Sequence, residues 1–335
     1  MSNMVGVKKK SPQKATKNAL AVSRVRKAGA IILLVSNTPE LCLNWETSNK
    51  VTGTTRNPYD TNRTPGGSSG GEAALISSAA SIAGIASDVA GSARLPALFC
   101  GIFGHRPTSG LITTEGHKPQ SRDESFTLYC TTGMMVRYAE DLSLMMTAMC
   151  QSEEIWKKFE QKVCLKDMKF FYLEDCCAVS DSVSKDVKQA MKKLRIHIET
   201  THGLKVKKAQ LPAIKFMLDV AALILLVNID DVNDDIKCVE LLGDNGILIL
   251  PTFISPAYYF NESYTNILNF THLAVANILG VPATHCTMGL NKRGLPVGLQ
   301  IMANAGNDHL TIAVAKEISE TFGGWQPPPM TELQV

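Results

Sequence analysis

The sequence predicts an α/β protein, and three observations carry that reading. A basic amphipathic stretch, residues 16–27, is broken by Gly29 and followed by the apolar run 30–35, so a helix should feed a short buried strand. Short apolar, strand-like runs then recur between helical patterns along the chain. The composition, 45% apolar and 19% charged over 335 residues, is that of a folded chain long enough for one large core or two modest ones.

Taken in order, Asn37 or Thr38 can cap a helix carrying Glu40, Leu41, Cys42 and Trp45. Residues 57–65 have loop composition. Residues 72–86 are small and mostly apolar, and are expected to form a buried helix with Ser68 or Ser69 at its start and Glu72 in its first turn. An apolar run at 98–103 leads into polar, irregular 108–124, and 126–130 reads as a short strand. The methionine-rich helix expected at 138–150 supplies core packing. After charged 152–169, a strand is expected at 170–173, a basic helix with a solvated face at 185–200, and a strand at 204–206. Residues 212–229 are the most lipid-like part and read first as a core helix, second as an acyl- or membrane-facing one. Strands at 247–250 and 297–302 and helices at 264–279 and 309–322 complete the pattern.

Charge and cysteine usage exclude several classes. Net charge is +3, from 34 basic and 31 acidic residues, which is too balanced to argue for nucleic acid. Nine cysteines occur without a paired-cysteine spacing, so neither a disulfide framework nor a cysteine zinc site is indicated. The residues show no secretory signal and no apolar run of spanning length, which points to the cytoplasm or the cytosolic face of intracellular membranes.

The informative stretch is 64–110, where glycine and serine crowd residues 66–71 and 90–92. Gly66, Ser68 and Gly70 formally match a nucleophile elbow, but that motif needs a strand immediately before it, and 57–65 is loop-like. A rival α/β-hydrolase reading would use Ser68, a downstream Asp, and His285 or His309.

The stretch resembles the amidase signature family. The resemblance extends to Asn37-Thr38-Pro39-Glu40-Leu41, Ser48-Asn49-Lys50, Asn57-Pro58-Tyr59-Asp60, Arg137-Tyr138-Ala139-Glu140-Asp141, residues 294–300 and Asn307-Asp308-His309. It implies one amidase signature domain over 1–335, incomplete at its N-terminus and shortened before Pro251; the basic start and the proline tail read as flexible ends at 1–15 and 326–335. The implied fold is a mixed twisted sheet flanked by helices on both faces. The implied activity is hydrolysis of fatty-acid amides or other small amides; the alternative is a noncatalytic relative that binds lipid or a partner. No metal or cofactor is implied, while peripheral membrane contact and a homodimer are compatible with the family.

The resemblance assigns the nucleophile to Ser92 and a bridging role to Ser68, the latter on a cis peptide bond. It places oxyanion donors at the backbone N–H groups of Val89, Ala90, Gly91 and Ser92, and support at Ser69, Asp88 and Arg94. Ala90 stands where glycine is usual, which is harmless only if its φ is negative. The family's catalytic lysine falls upstream of Met1, so the role is not given to Lys8, Lys9, Lys10, Lys14 or Lys50.

Overall fold

Among the described residues, eight strands form one mixed, twisted sheet with helices packed on both faces. The computed structural model describes residues 3–9, 11, 13–120, 126–174, 180–211 and 237–329. The strands are β1 (Ser48–Asn49) and β2 (Gly53–Thr54), which pair as a small hairpin, then β3 (Ala83–Asp88), β4 (Phe103–Arg106), β5 (Thr131–Val136), β6 (Lys169–Tyr172), β7 (Val206–Lys208), β8 (Gly246–Pro251), β9 (Ala283–Leu290) and β10 (Pro296–Met302). The helices are α1 (Leu20–Lys27), α2 (Gly70–Ser77), α3 (Arg94–Phe99), α4 (Phe126–Tyr129), α5 (Asp141–Met149), α6 (Glu153–Glu160), α7 (Lys185–His202), α8 (Lys237–Leu242), α9 (Glu262–Thr265), α10 (Thr271–Ile278) and α11 (Asp308–Phe322).

The large sheet runs β3-β5-β4-β9-β10-β8-β6-β7. Neighbours are antiparallel from β3 to β8, and β8, β6 and β7 are parallel. Strand β8 shows why both faces are covered. Its side chains alternate across the sheet, and Ile247 and Ile249 enter one core while Leu248 and Leu250 enter another. The larger core receives the apolar faces of α5, α7 and α11. The second takes α8 and the body of α10, and a third joins α2 and α3 to β3 and β5.

Several expectations are corrected. The run 72–86 is not one helix: α2 ends at Ser77, Ala79 turns with φ 65°, and β3 follows with alternating burial. Small residues serve either state, and the paired edge offered by β5 decides for the strand. Residues 126–130 contain a helical turn rather than a strand. Residues 264–279 divide into two short turns and α10. Near residue 40 there is only a 3-10 turn, with Leu41 at φ 54°. Residues 30–35, expected as a buried strand, belong to no strand, and Ile31, Leu33 and Val35 are 84%, 63% and 60% exposed. The expected apolar helix at 212–229 lies outside the described residues. Among the described residues no helix is long and apolar enough to cross a membrane, and their cysteines are all free.

Candidate active site

Strand β3 delivers the buried Asp88 to a turn, residues 89–92, which leads into α3; Gly91 is buried there, while Val89, Ala90 and Ser92 are half-buried. The Asp88 carboxylate accepts from the N–H groups of Gly91 (2.8 Å) and Ala93 (3.2 Å). It also accepts from Arg94 through Nε (3.0 Å) and Nη2 (2.9 Å), and from Asn277 Nδ2 (3.0 Å). Arg94, 0% exposed, donates further to Gln300 Oε1, to the Leu273 carbonyl and to Asn277 Oδ1. Gln300 in turn donates to the carbonyls of Pro251 and His272. Burial alone would raise the Asp88 pKa; the Arg94 charge and hydrogen bonds, with Arg106 and Asn277, reverse this and hold it well below the carboxylate range. Every charged atom of this pair is therefore answered, the condition for a buried ion pair to persist.

This cluster fixes the turn. Gly91 takes φ 92°, and a Cβ there would stand 2.6 Å from the Leu273 side chain, so both conformation and space require glycine. Ala90 is not among the positive-φ residues, so alanine is tolerated where the family pattern has glycine. Its carbonyl accepts from Trp45 Nε1 at 3.2 Å. Of the four expected oxyanion donors, Gly91 turns its N–H inward to Asp88. Among the described residues the N–H groups of Val89, Ala90 and Ser92 have no acceptor.

The second serine arrives from the turn before α2. The Gly67–Ser68 peptide bond is cis, and Ser68 is 2% exposed. Thr38 donates to the Ser68 carbonyl at 3.2 Å, and the Thr47 hydroxyl donates to the Gly66 carbonyl and accepts from the Gly70 N–H. Ser69 occupies the N-cap position of α2 but makes no side-chain cap bond. Its backbone N–H donates to the Ser92 carbonyl at 3.3 Å, which joins the two serine turns directly.

Ser68 and Ser69 also border a cavity of about 240 Å³, shared with Asn37, Cys42, Glu72 and Lys118. Burial raises the Glu72 pKa, with a hydrogen bond to Ser36 opposing it. Lys118 is the one lysine lining the cavity among the described residues, and it is exposed.

The rival elbow geometry is absent: residues 55–67, immediately before Ser68, form no strand, apart from an isolated bridge between Arg63 and Tyr259. His285 is fully buried on β9 with Nδ1 against Thr252 Oγ1, and burial drives its pKa down to about 3. Such an imidazole stays neutral and is enclosed by the sheet. His309 packs on Phe159 instead.

Sequence reasoning missed Asn277, Thr47 and Trp45. Asn277 had a legible signal, since it is polar within the apolar run LAVANIL. Thr47 and Trp45 had none, because their roles depend on a loop closing over the serine turns.

The Amidase family model matches residues 1–244 and 237–312. The chain is 33% identical to human "Fatty-acid amide hydrolase 2" over 98% of its own length and 74% of that protein's. It is 31% identical to zebrafish (Danio rerio) "Fatty-acid amide hydrolase 2-B", again over 98% and 74%. Among solved structures, 6-aminohexanoate cyclic dimer hydrolase complexed with substrate superposes with TM-score 0.76 at 21% identity, covering 94% of this chain and 80% of that one. A structure titled "Fatty acid amide hydrolase" gives TM-score 0.72 at 19% identity, over 93% and 68%.

Proposed function

Since the chain belongs to the amidase family, we propose that it is a serine amidase acting on fatty-acid amides, with residues 1–335 working as one domain. The observation that carries this reading is the Ser69 N–H bond to the Ser92 carbonyl, which holds the two serine turns against each other. Ser92 Oγ attacks the amide carbon, its proton passes to Ser68 Oγ, and the Ser68 proton passes on to the leaving nitrogen. The N–H groups of Val89, Ala90 and Ser92 receive the developing oxyanion. Collapse expels the amine with a proton, and water then hydrolyses the acyl-serine. Asp88 and Arg94 take no part in proton transfer; they hold the donors in place before substrate arrives.

An acyl substrate is supported by the apolar surroundings. Leu273 abuts Gly91, Trp45 bonds to Ala90, and Phe270 stacks on Trp45 at 3.7 Å between ring centroids. Leu43, Tyr264 in α9 and Ile267 in the 3-10 turn after it are exposed nearby, and Asn44 donates to Tyr264 Oη at 2.6 Å. That rim suits entry of an acyl chain from a membrane surface, so peripheral membrane contact belongs to the same reading. A second reading, a relative that binds lipid without hydrolysing it, is favoured by one observation: the only cavity-lining lysine among the described residues, Lys118, is solvent-exposed rather than enclosed beside Ser68.

A fluorophosphonate probe separates the two. Amidase action predicts a covalent adduct on Ser92, lost in S92A and slowed in S68A, together with release of amine from a long-chain primary amide. An adduct on another residue overturns the assignment of Ser92. Saturable binding of the amide with neither adduct nor amine release supports the second reading.

A further inference from the structure

We propose that His197, His202 and Glu317 form a binding site for one divalent transition-metal ion of the zinc class, joining α7 to α11. The site lies on the outer helices, apart from the serine turns. Among the described residues it is the group of three such side chains whose donor atoms all fall within 4.8 Å of one another.

The geometry is convergent rather than merely crowded. His197 Nε2 and His202 Nε2 both approach the same oxygen, Glu317 Oε1, at 2.7 and 2.9 Å. The two imidazole rings stand perpendicular, at 84° with centroids 5.6 Å apart, so their Nε2 atoms meet without the rings colliding. Two imidazoles and a carboxylate, with room for water, suit zinc and its neighbours; calcium and magnesium favour all-oxygen shells. Zinc bonds to nitrogen and oxygen are about 2.0–2.2 Å, so an ion between the three groups requires them to part only by roughly half an ångström. Side-chain exposures of 16%, 16% and 24% leave that adjustment to rotamers and leave one side open to solvent.

Two features beyond the three donors favour a cation. His202 is the last residue of an 18-residue helix, ended by Gly203 at φ 69°, so the site sits at the negative end of the helix dipole. The Thr201 hydroxyl lies 3.2 Å from His197 Nδ1 and can accept its proton once Nε2 binds metal, the outer partner that fixes a ligating tautomer. On binding, each Nε2 gives up the proton it directs at Glu317 Oε1 and offers its lone pair to the ion, while Nδ1 carries the proton of the ligating tautomer. The ion would clasp α7 and α11, which both pack into the larger core.

The test uses tag-free, full-length protein stripped with chelator. In calorimetric titration with Zn²⁺, the wild type should take up one ion more than the triple variant H197A/H202A/E317Q. E317Q alone keeps a hydrogen-bond acceptor but should weaken binding about 10- to 100-fold, and T201V about 10-fold. Electron paramagnetic resonance of the Cu²⁺-loaded wild type should show two coordinated imidazole nitrogens, a readout that does not depend on any variant folding. Equal uptake by wild type and triple variant, or a Cu²⁺ spectrum with fewer than two imidazole ligands, overturns the proposal.

Discussion

The two serines stand in opposite surroundings. Behind the Ser92 turn the side chains are buried and answered: Asp88, Arg94, Asn277 and Gln300 satisfy one another and hold the Gly91 N–H, leaving three N–H groups of the turn open. Around Ser68 the backbone is pinned by Thr38 and Thr47, but the turn borders a cavity of about 240 Å³. The contrast separates two requirements of amide cleavage. Donors for a developing charge act best when fixed beforehand. A proton relay needs a neighbour that can change its protonation state, and the buried Asp88–Arg94 pair cannot supply one.

If the Ser92 side is a pre-set scaffold, substitutions there should be costly, and those on the cavity side slight. The largest effect is expected from R94M, which strands the Asp88 carboxylate without its cation; loss of one member of a buried pair costs about 3–5 kcal/mol, read from urea unfolding. A value near zero would end the scaffold interpretation. G91A comes next, at about 2–4 kcal/mol, because it combines left-handed backbone with the Leu273 clash. It should also abolish probe labelling if the turn geometry matters.

The third prediction concerns His285, behind the Arg94 cluster. Its folded pKa is about 3 against an ordinary value near 6.5, so below pH 6.5 the unfolded chain takes up a proton that the folded chain refuses. Stability therefore falls with pH through that window, by about 2 kcal/mol between pH 6.5 and 5 from this group. H285N should lose that share of the acid slope in urea titrations at the two pH values.

On the cavity side, Glu72 has the opposite sign. Its raised pKa means that ionisation weakens the fold as pH rises above the ordinary carboxylate value. E72Q should therefore be neutral or stabilising at pH 7, by about 1 kcal/mol or less, and should flatten this slope in thermal unfolding. A large loss of stability would mean that the cavity wall is as tightly organised as the Ser92 turn.

Much of this arrangement was legible from residue order. The glycine-serine clusters marked both turns, and the resemblance anticipated the cis bond at Ser68 and the adjacency of Asp88 and Arg94, which the structure shows as a buried pair. What escaped was long-range. Asn277 and Gln300 reach the site from α10 and β10, far along the chain. The strand β3 was hidden because alanine, glycine and serine state no firm preference until β5 lies beside them. Residues 30–35 failed the other way: their apolar run matched the period of a buried strand, while burial depends on a partner that local pattern does not encode.

That exposed run has a practical outcome. Ile31, Leu33, Leu34 and Val35 place branched hydrocarbon in water on residues that pair with no strand among the described residues, an exposed apolar run through which separate molecules can adhere. Colloidal behaviour should thus follow this short ribbon more than overall charge. Light scattering of concentrated solutions should show clusters that shrink when lysine replaces Leu33.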